Sequence, residues 1–304
     1  MGNKRSAVAC VLLLAATAAI PAAAGDAAPG MFSYLEWDPP ADRPVVFAPG
    51  VVSTAAFEFA GCFTPDGGEY YFTRRIDPGP NRILFTRSTE KGWTAPVPAS
   101  FASPEGEMEP MITPDGSRLY YVSDRPAPEK ARWKGPVWCV DREGEGWSEP
   151  RYLDAPLNDG FAMGVCPDRE GNLYFTKKGI RVSRPGPEGA GLPELLGDAV
   201  NAPRPGAHPY VAPEGSLLLF DADRGDGVRN MDFFVSFRDR DGEWTGALPL
   251  GPPINTPETE MCASLSPDGR ILFFTRIVGG DGDIYGIDAS FLNGLRREAE
   301  TADR

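Results

Sequence analysis

Three glutamates, Glu58, Glu107 and Glu260, stand seven residues ahead of a proline-centred turn that recurs along the chain, and Gly160 and Gly206 take that place in the other two copies. Five residues ahead of the same prolines stand Ala60, Glu109, Ala162, His208 and Cys262. Beyond each turn an apolar run ends in bases: Arg74, Ser123-Asp124-Arg125, Lys177-Lys178, Asp223-Arg224 and Arg276. Paired carboxylates about 5–9 Å apart can cleave a glycosidic bond, one as acid and the other as base or nucleophile. The same acids set beside bases could instead form a polar mouth for a charged ligand, or a ring of ion pairs that only joins repeats. Other chemistries lack parts. His208 is the only histidine, so a histidine metal centre is excluded. No G-x-S-x-G elbow occurs, and Cys62, Cys139, Cys166 and Cys262 form no C-x-x-C pair.

The turns that position these residues are Thr64-Pro65-Asp66-Gly67, Thr113-Pro114-Asp115-Gly116, Cys166-Pro167-Asp168 (two residues longer, to Gly171), Ala212-Pro213-Glu214-Gly215 and Ser266-Pro267-Asp268-Gly269. Their prolines lie 49, 53, 46 and 54 residues apart. Proline fixes φ at the first central position and glycine takes the left-handed one, so each copy bends the chain back on itself. Apolar residues flank the bend: Phe63, Ile112, Val165, Val211 and Leu265 before it, and runs such as Tyr70-Tyr71-Phe72 and Ile271-Leu272-Phe273-Phe274 after it. These are hairpins of strands buried on both faces. A third strand follows in each copy, then a fourth announced by Gly92-Trp93-Thr94, Gly146-Trp147-Ser148 and Glu243-Trp244-Thr245, with Gly191-Leu192-Pro193 in the third copy.

Four strands repeating at a period near 50 predict an all-β, five-bladed β-propeller. The last copy lacks its outer strand. Pro44-Val45-Val46-Phe47-Ala48-Pro49 resembles Pro96-Val97-Pro98-Ala99-Ser100-Phe101 and is expected to supply it, closing the ring and removing exposed sheet edges. The predicted divisions are 1–24 export signal, 25–43 lead-in, 44–292 propeller and 293–304 tail. An inner hairpin sets the entry of its first strand beside the exit of its second. Glu58, Arg74, Glu107, Glu109, Lys177, His208, Arg224, Glu260 and Arg276 are therefore expected on one mouth of the channel, with His208 in a sector left open by Gly160 and Gly206.

Lys4 and Arg5, the uncharged stretch Ala7 to Ile20 and the small residues Ala22-Ala23-Ala24 read as a cleaved export signal. Cys10 precedes most of that stretch, so no lipid anchor is read, and no later run approaches a membrane span. The net charge of −13 falls to −15 without the signal, which argues against nucleic acid and anionic membranes as partners. Cys62 and Cys262, on the first and last inner strands, could bridge in an oxidising compartment or remain buried thiols. No cofactor is read. Asp281-Gly282-Asp283 and the run Asp221-Ala222-Asp223 to Asp226 offer oxygens of the kind Ca²⁺ takes, without the EF-hand spacing. Trp133, among Lys130, Arg132 and Lys134 in an insertion of the second blade, is a candidate for recognition at a propeller face.

The Pro-Asp-Gly turns, the aromatic strands after them and the Thr-Arg or Ser-Asp-Arg endings resemble the PD40, or WD40-like, repeat of TolB-related proteins. So do Asp232 to Arg238 leading to Ile254-Asn255-Thr256, and Ser266 to Arg270 through Gly282-Asp283-Ile284-Tyr285. The resemblance covers about residues 44–292 and implies a periplasmic or extracellular binding propeller. TolB carries an additional N-terminal α/β domain, for which this chain has no room. The expectation is an exported monomer that binds an envelope protein or glycan through the channel mouth and face loops without catalysis. The alternative is a carbohydrate-active hydrolase or lyase that uses the channel carboxylates.

Overall fold

The computed structural model describes residues 37–302, apart from 76–77, 131–135, 187–188, 203 and 226–229. The predicted signal, the start of the lead-in, Trp133 and Asp226 lie outside the described residues. Each repeat folds as an antiparallel sheet. Blade 1 runs from Phe57–Phe63 through Glu69–Arg75 and Asn81–Thr89 to Val97–Pro98. Blade 2 begins at Glu107–Ile112 and ends at Arg151–Tyr152, blade 3 runs from Met163–Pro167 to Glu194–Leu195, and blade 4 from Ala207–Val211 to Leu248–Pro249. Blade 5 takes Thr259–Leu265, Ile271–Val278 and Asp281–Asp288 from the end of the chain and its outer strand, Val45–Val46, from the beginning. Val45 lies opposite Gly286 and Val46 opposite Tyr285, as the sequence predicts. The chain is a five-bladed β-propeller.

The strands read as doubly buried because neighbouring blades cover both faces. Tyr70, Tyr71, Phe72, Tyr121, Tyr174, Phe175, Phe220 and Phe273 are all fully buried. A tryptophan wedges several of the seams between blades. Trp147 of blade 2 meets Tyr71 of blade 1 edge-on and donates its indole N–H to the Tyr71 hydroxyl at 2.9 Å. Trp244 of blade 4 also meets Tyr174 of blade 3 edge-on, and there Arg238 donates to the Tyr174 hydroxyl at 3.0 Å. Trp93 of blade 1 packs beside Phe47, which follows the closing strand.

The structure departs from the sequence reading at the third turn and adds detail at the lead-in and the tail. The third turn has the ordinary length: Gly171 N–H bonds the Asp168 carbonyl as Gly67 bonds Thr64, so Arg169 stands in the proline place and Pro167 belongs to the inner strand. The Asp168 side chain holds this turn by accepting from the N–H groups of Glu170 and Asn172. The lead-in is anchored, with Trp37 stacked on Phe273 at 5.7 Å. The expected tail is a helix, Leu292–Ala302, whose Leu292 and Ala299 join the core of blade 4 and whose Arg296 lies over Phe237 at 4.7 Å. Of the two alternatives for the cysteines the structure shows the buried thiols: Cys62, Cys139, Cys166 and Cys262 are all free and buried, and burial pushes the Cys62 and Cys166 thiols up to about 12.

Candidate functional site

The channel is lined by the inner strands, and each bends at one residue. Ala60, Glu109, Gly164, His208 and Cys262 all have positive φ, between 43° and 59°. This local twist shifts the strand register and turns one backbone N–H toward the blade before it. Those N–H groups are received in turn around the ring. Thr73 Oγ1 accepts from Glu109 N at 3.0 Å, Thr176 Oγ1 from His208 N at 2.8 Å, and Thr275 Oγ1 from Ala60 N at 3.2 Å. Asp221 takes the threonine place in blade 4 and accepts from Cys262 N at 3.2 Å. Blade 2 has Val122 there, which cannot accept. The Glu109 carboxylate substitutes for it and receives Gly164 N at 2.8 Å. The threonine of each Thr-Arg or Thr-Lys ending therefore carries the contact between blades, while the sequence reading weighed only the base beside it.

Glu109, His208 and Asp221 form the one charged chain across this channel among the described residues. The His208 Nδ1 lies 3.0 Å from both Asp221 oxygens, and its Nε2 lies 3.6 Å from Glu109. Asp221 is fully buried, and the other two side chains are 11% and 7% exposed. Burial pulls the imidazole down, but Asp221 and Glu109 outweigh it and hold His208 well above its ordinary value. The chain passes over Gly164, where an added Cβ would come to 3.0 Å from the His208 Cα. The sector predicted to stand open is thus closed, because the imidazolium links blade 4 to blade 2 across the slim backbone of blade 3. The corrected turn also places Ala162, not Gly160, at the glutamate position. At that position in blade 4 there is no room for a side chain: a Cβ on Gly206 would come within 2.7 Å of Ile180 and Phe220. The cavity beside His208 measures about 30 Å³, space for a water or two.

The three repeating glutamates are buried and held by their own loops. Glu58 accepts from Thr54 N (3.0 Å), Thr54 Oγ1 (2.6 Å) and Arg74 Nε (2.6 Å). Glu260 repeats the pattern with Thr256 N (3.2 Å), Thr256 Oγ1 (2.5 Å) and Arg276 Nε (2.9 Å). Glu107 accepts from Ser103 N and Oγ and from Ile83 N of blade 1. Burial raises the Glu58 and Glu260 carboxyls, and the hydrogen bonds from Thr54 and Thr256 together with the arginines oppose it. A raised glutamate can serve as a general acid. Here the bonds from Thr54, Arg74, Thr256 and Arg276 point both carboxyls into their own loops.

The bases are engaged in the same manner. Arg74 also donates to the carbonyls of Val51 and Val52, and Arg276 to those of Pro253 and Ile254. Lys177 pairs with Asp159, and Arg224 reaches the Thr256 and Glu258 carbonyls of the next blade. The structure therefore splits the nine predicted mouth residues. Glu109 and His208 meet in the channel, whereas the other seven serve as staples for the loops that enter the inner strands.

Substituting Glu260 by glutamine keeps the shape but leaves Arg276 beside a neutral group. The expected loss is about 1.5–3 kcal/mol of stability, read from urea unfolding. An unchanged midpoint would show that the staple does not hold its loop.

A further recurrent strap escaped the sequence reading. Asn158 bonds the N–H and carbonyl of Val137 in the preceding blade, Asn201 those of Ile180, Asn255 those of Phe233, and Ser53 those of Ile284. Each follows a buried apolar residue: Leu157, Val200, Ile254 and Val52. The apolar-Asn or apolar-Ser pair before each inner strand was the available signal. The fifth residue at this place, Ala102, has no polar side chain, and Glu107 compensates by accepting from Ile83 N. Among the described residues no group of three His, Cys, Asp or Glu is arranged to hold a metal, and Asp221 of the suggested calcium run faces His208.

No protein-family model and no curated protein matches the chain. Solved structures do. The catalytic domain of the GH62 α-L-arabinofuranosidase of Coprinopsis cinerea aligns with TM-score 0.52 and 13% identity, over 86% of this chain and 98% of that one. The α-L-arabinofuranosidase PaAbf62A of Podospora anserina aligns with TM-score 0.50 and 13% identity, over 87% and 98%. TolB of Acinetobacter baumannii aligns with TM-score 0.47 and 12% identity, over 77% of this chain and 54% of that one. The chain thus spans about half the length of that TolB. At such identities the likeness is one of fold.

Proposed function

We propose that this protein is an exported binding propeller that recognises an envelope protein or glycan without catalysis. The observation that carries this reading is the internal engagement of the channel carboxylates. Glu58, Glu107 and Glu260 are held by the threonine or serine four residues earlier, and Glu109 and Asp221 flank a charged histidine. A glycosidase needs two carboxyls aimed at one sugar bond with room for the sugar between them. A space of about 30 Å³ at the channel centre does not admit a sugar ring.

Rigid blades joined by the threonine ring and the asparagine straps would present the face loops with little entropy left to lose on binding. Export is supported by the basic start, apolar stretch and small residues of 1–24. No described helix is long and apolar enough to cross a membrane.

The test is a pull-down of envelope extract with mature protein at moderate salt, run beside a glycan array and an aryl-glycoside assay. Saturable capture with no turnover is expected. Turnover of an aryl glycoside that Glu107→Ala abolishes in a folded variant would reverse the reading, as would no capture by either binding route.

A further inference from the structure

Tryptophan wedges recur in the seams between blades, and one seam is missing its wedge. The third strand of each blade fixes the alignment. Thr94 N bonds the Arg87 carbonyl, Ser148 N that of Asp141, Thr245 N that of Phe237, and Gly191 N that of Arg184. The hydroxyl contacts agree: Thr86 Oγ1 donates to the Thr94 carbonyl, Ser236 Oγ to Thr245 and Ser183 Oγ to Gly191. The residue before Gly191 is therefore the counterpart of Trp93, Trp147 and Trp244. It is Ala190, not Leu192 as the Gly-Trp alignment suggests, and it is exposed. The arginine that lies over the indole in blades 2 and 4, Arg142 at 4.9 Å and Arg238 at 4.0 Å, is replaced in blade 3 by Pro185.

The partner half of the seam is retained. Tyr120 of blade 2 lies at the same strand position as Tyr71 and Tyr174, which receive the indoles of Trp147 and Trp244. Where the wedge is absent, a cavity of about 510 Å³ opens between blades 2 and 3. Tyr120, Tyr152, Leu173 and Ala190 line it, with Arg118 and Arg151 beside them. The two arginines share Asp141, at 2.5 and 3.7 Å, and stay partly exposed. The seam between blades 4 and 5 also has no tryptophan, but there the C-terminal helix lays Leu292 and Arg296 over the gap. No described residue does this for blades 2 and 3.

From this geometry we propose that the seam between blades 2 and 3 is a docking slot for a tryptophan side chain carried by a partner polypeptide. The sister seams display the occupant: in both an indole stands edge-on to a tyrosine, and in the seam of blades 1 and 2 its N–H also reaches the tyrosine hydroxyl from a segment that begins with Gly146. A polypeptide is favoured over a free indole because in both sister seams the indole is carried on backbone that pairs with the third strand of its blade, Trp147 opposite Arg142 and Trp244 opposite Arg238, and an exposed apolar residue follows the vacant place. Leu192, two residues from Ala190, is 82% exposed, and a partner chain would cover it while a bare ring would not. The inference rests on the reading of the protein as a binding propeller and specifies the surface and the anchor.

The probes are the peptides acetyl-Gly-Trp-Thr-amide and acetyl-Gly-Ala-Thr-amide and free N-acetyl-tryptophanamide, titrated into the mature protein and followed by amide chemical shifts. The tryptophan peptide is expected to move the signals of Tyr120, Tyr152 and Ala190 saturably, and the alanine peptide to leave them in place. Ala190→Trp fills the slot from within; it should weaken the peptide at least tenfold and raise the melting temperature. Ala190→Lys should also weaken the peptide at least tenfold and leaves the proposal testable if the tryptophan variant does not fold. No saturable shift, or equal binding by Ala190→Lys, overturns the slot. Equal affinity for N-acetyl-tryptophanamide overturns the polypeptide carrier. Either result leaves the binding reading to the envelope pull-down, where failure has a different signature: nothing captured at all.

Discussion

Replacing His208 with alanine is expected to remove about 3–5 kcal/mol of stability, the cost of stranding buried charges by deleting one partner. Asp221 is fully enclosed, and His208 is the cation that meets both of its oxygens at 3.0 Å. Glu109 loses a neighbour too, while it must still receive the Gly164 N–H. Because the contact joins blades 2 and 4, its loss should broaden unfolding of the central ring, not merely of one loop.

The sign of the accompanying pH dependence follows from the raised native value of His208 over the ordinary 6.5. The native state holds this proton more tightly than the unfolded chain. The contribution is therefore complete below about pH 6.5 and is lost as pH rises through the native value. Urea midpoints of the wild type should fall on the alkaline side of neutrality, and His208→Ala should lose that portion of the slope. A variant that keeps both the midpoint and the alkaline slope would show the histidine to be an uncharged bystander.

Phe47→Ala is expected to have a comparable effect, about 3–5 kcal/mol, the range for emptying a phenylalanine site in a packed core. Phe47 is completely buried where the closing segment meets both ends of the ring. Its ring centroid lies 4.9 Å from Phe273, 5.1 Å from Tyr70 and 6.2 Å from Trp93, so one side chain ties blade 5 to blade 1. Val97 lies on the outer strand of blade 1 and is 42% exposed. Val97→Ala should cost about 0.5 kcal/mol or less. Thermal melts of the two variants compare them directly, and similar melting temperatures would mean that closure does not depend on the phenylalanine.

The architecture was legible because its signals are local and repeated. Proline and glycine at the bends, and aromatic runs after them, gave the hairpins, and the incomplete last copy gave the closing strand. Blade 3 shows why the site was less legible. There Arg169 stands in the proline place, so counting from Pro167 shifted the position ahead of the turn to Gly160 and placed an opening where Ala162 packs. Counting from the tryptophans failed for the same reason, since Ala190 bears no trace of what it replaces. The roles of Thr73, Thr176 and Thr275 lie in contacts to the next blade, 36, 32 and 215 residues away in sequence, and a threonine beside a base attracts less notice than the charge. The glutamates were placed correctly on their strands, yet their loops capture them through residues only four positions earlier, an arrangement that residue type alone does not reveal.

The pairing of Val46 with Tyr285 sets an order of events. The first of the described strands has its partner in the last of them, so it waits unpaired until the strands between have been made. Contacts this remote in sequence form slowly. The rim of blade 5 is thus the final piece of the wheel to lock. In pulse-labelled refolding, the amides of Phe47 and Ile284 should be the last to gain protection from exchange; early protection there would mean that the wheel closes first and its spokes fill in afterwards.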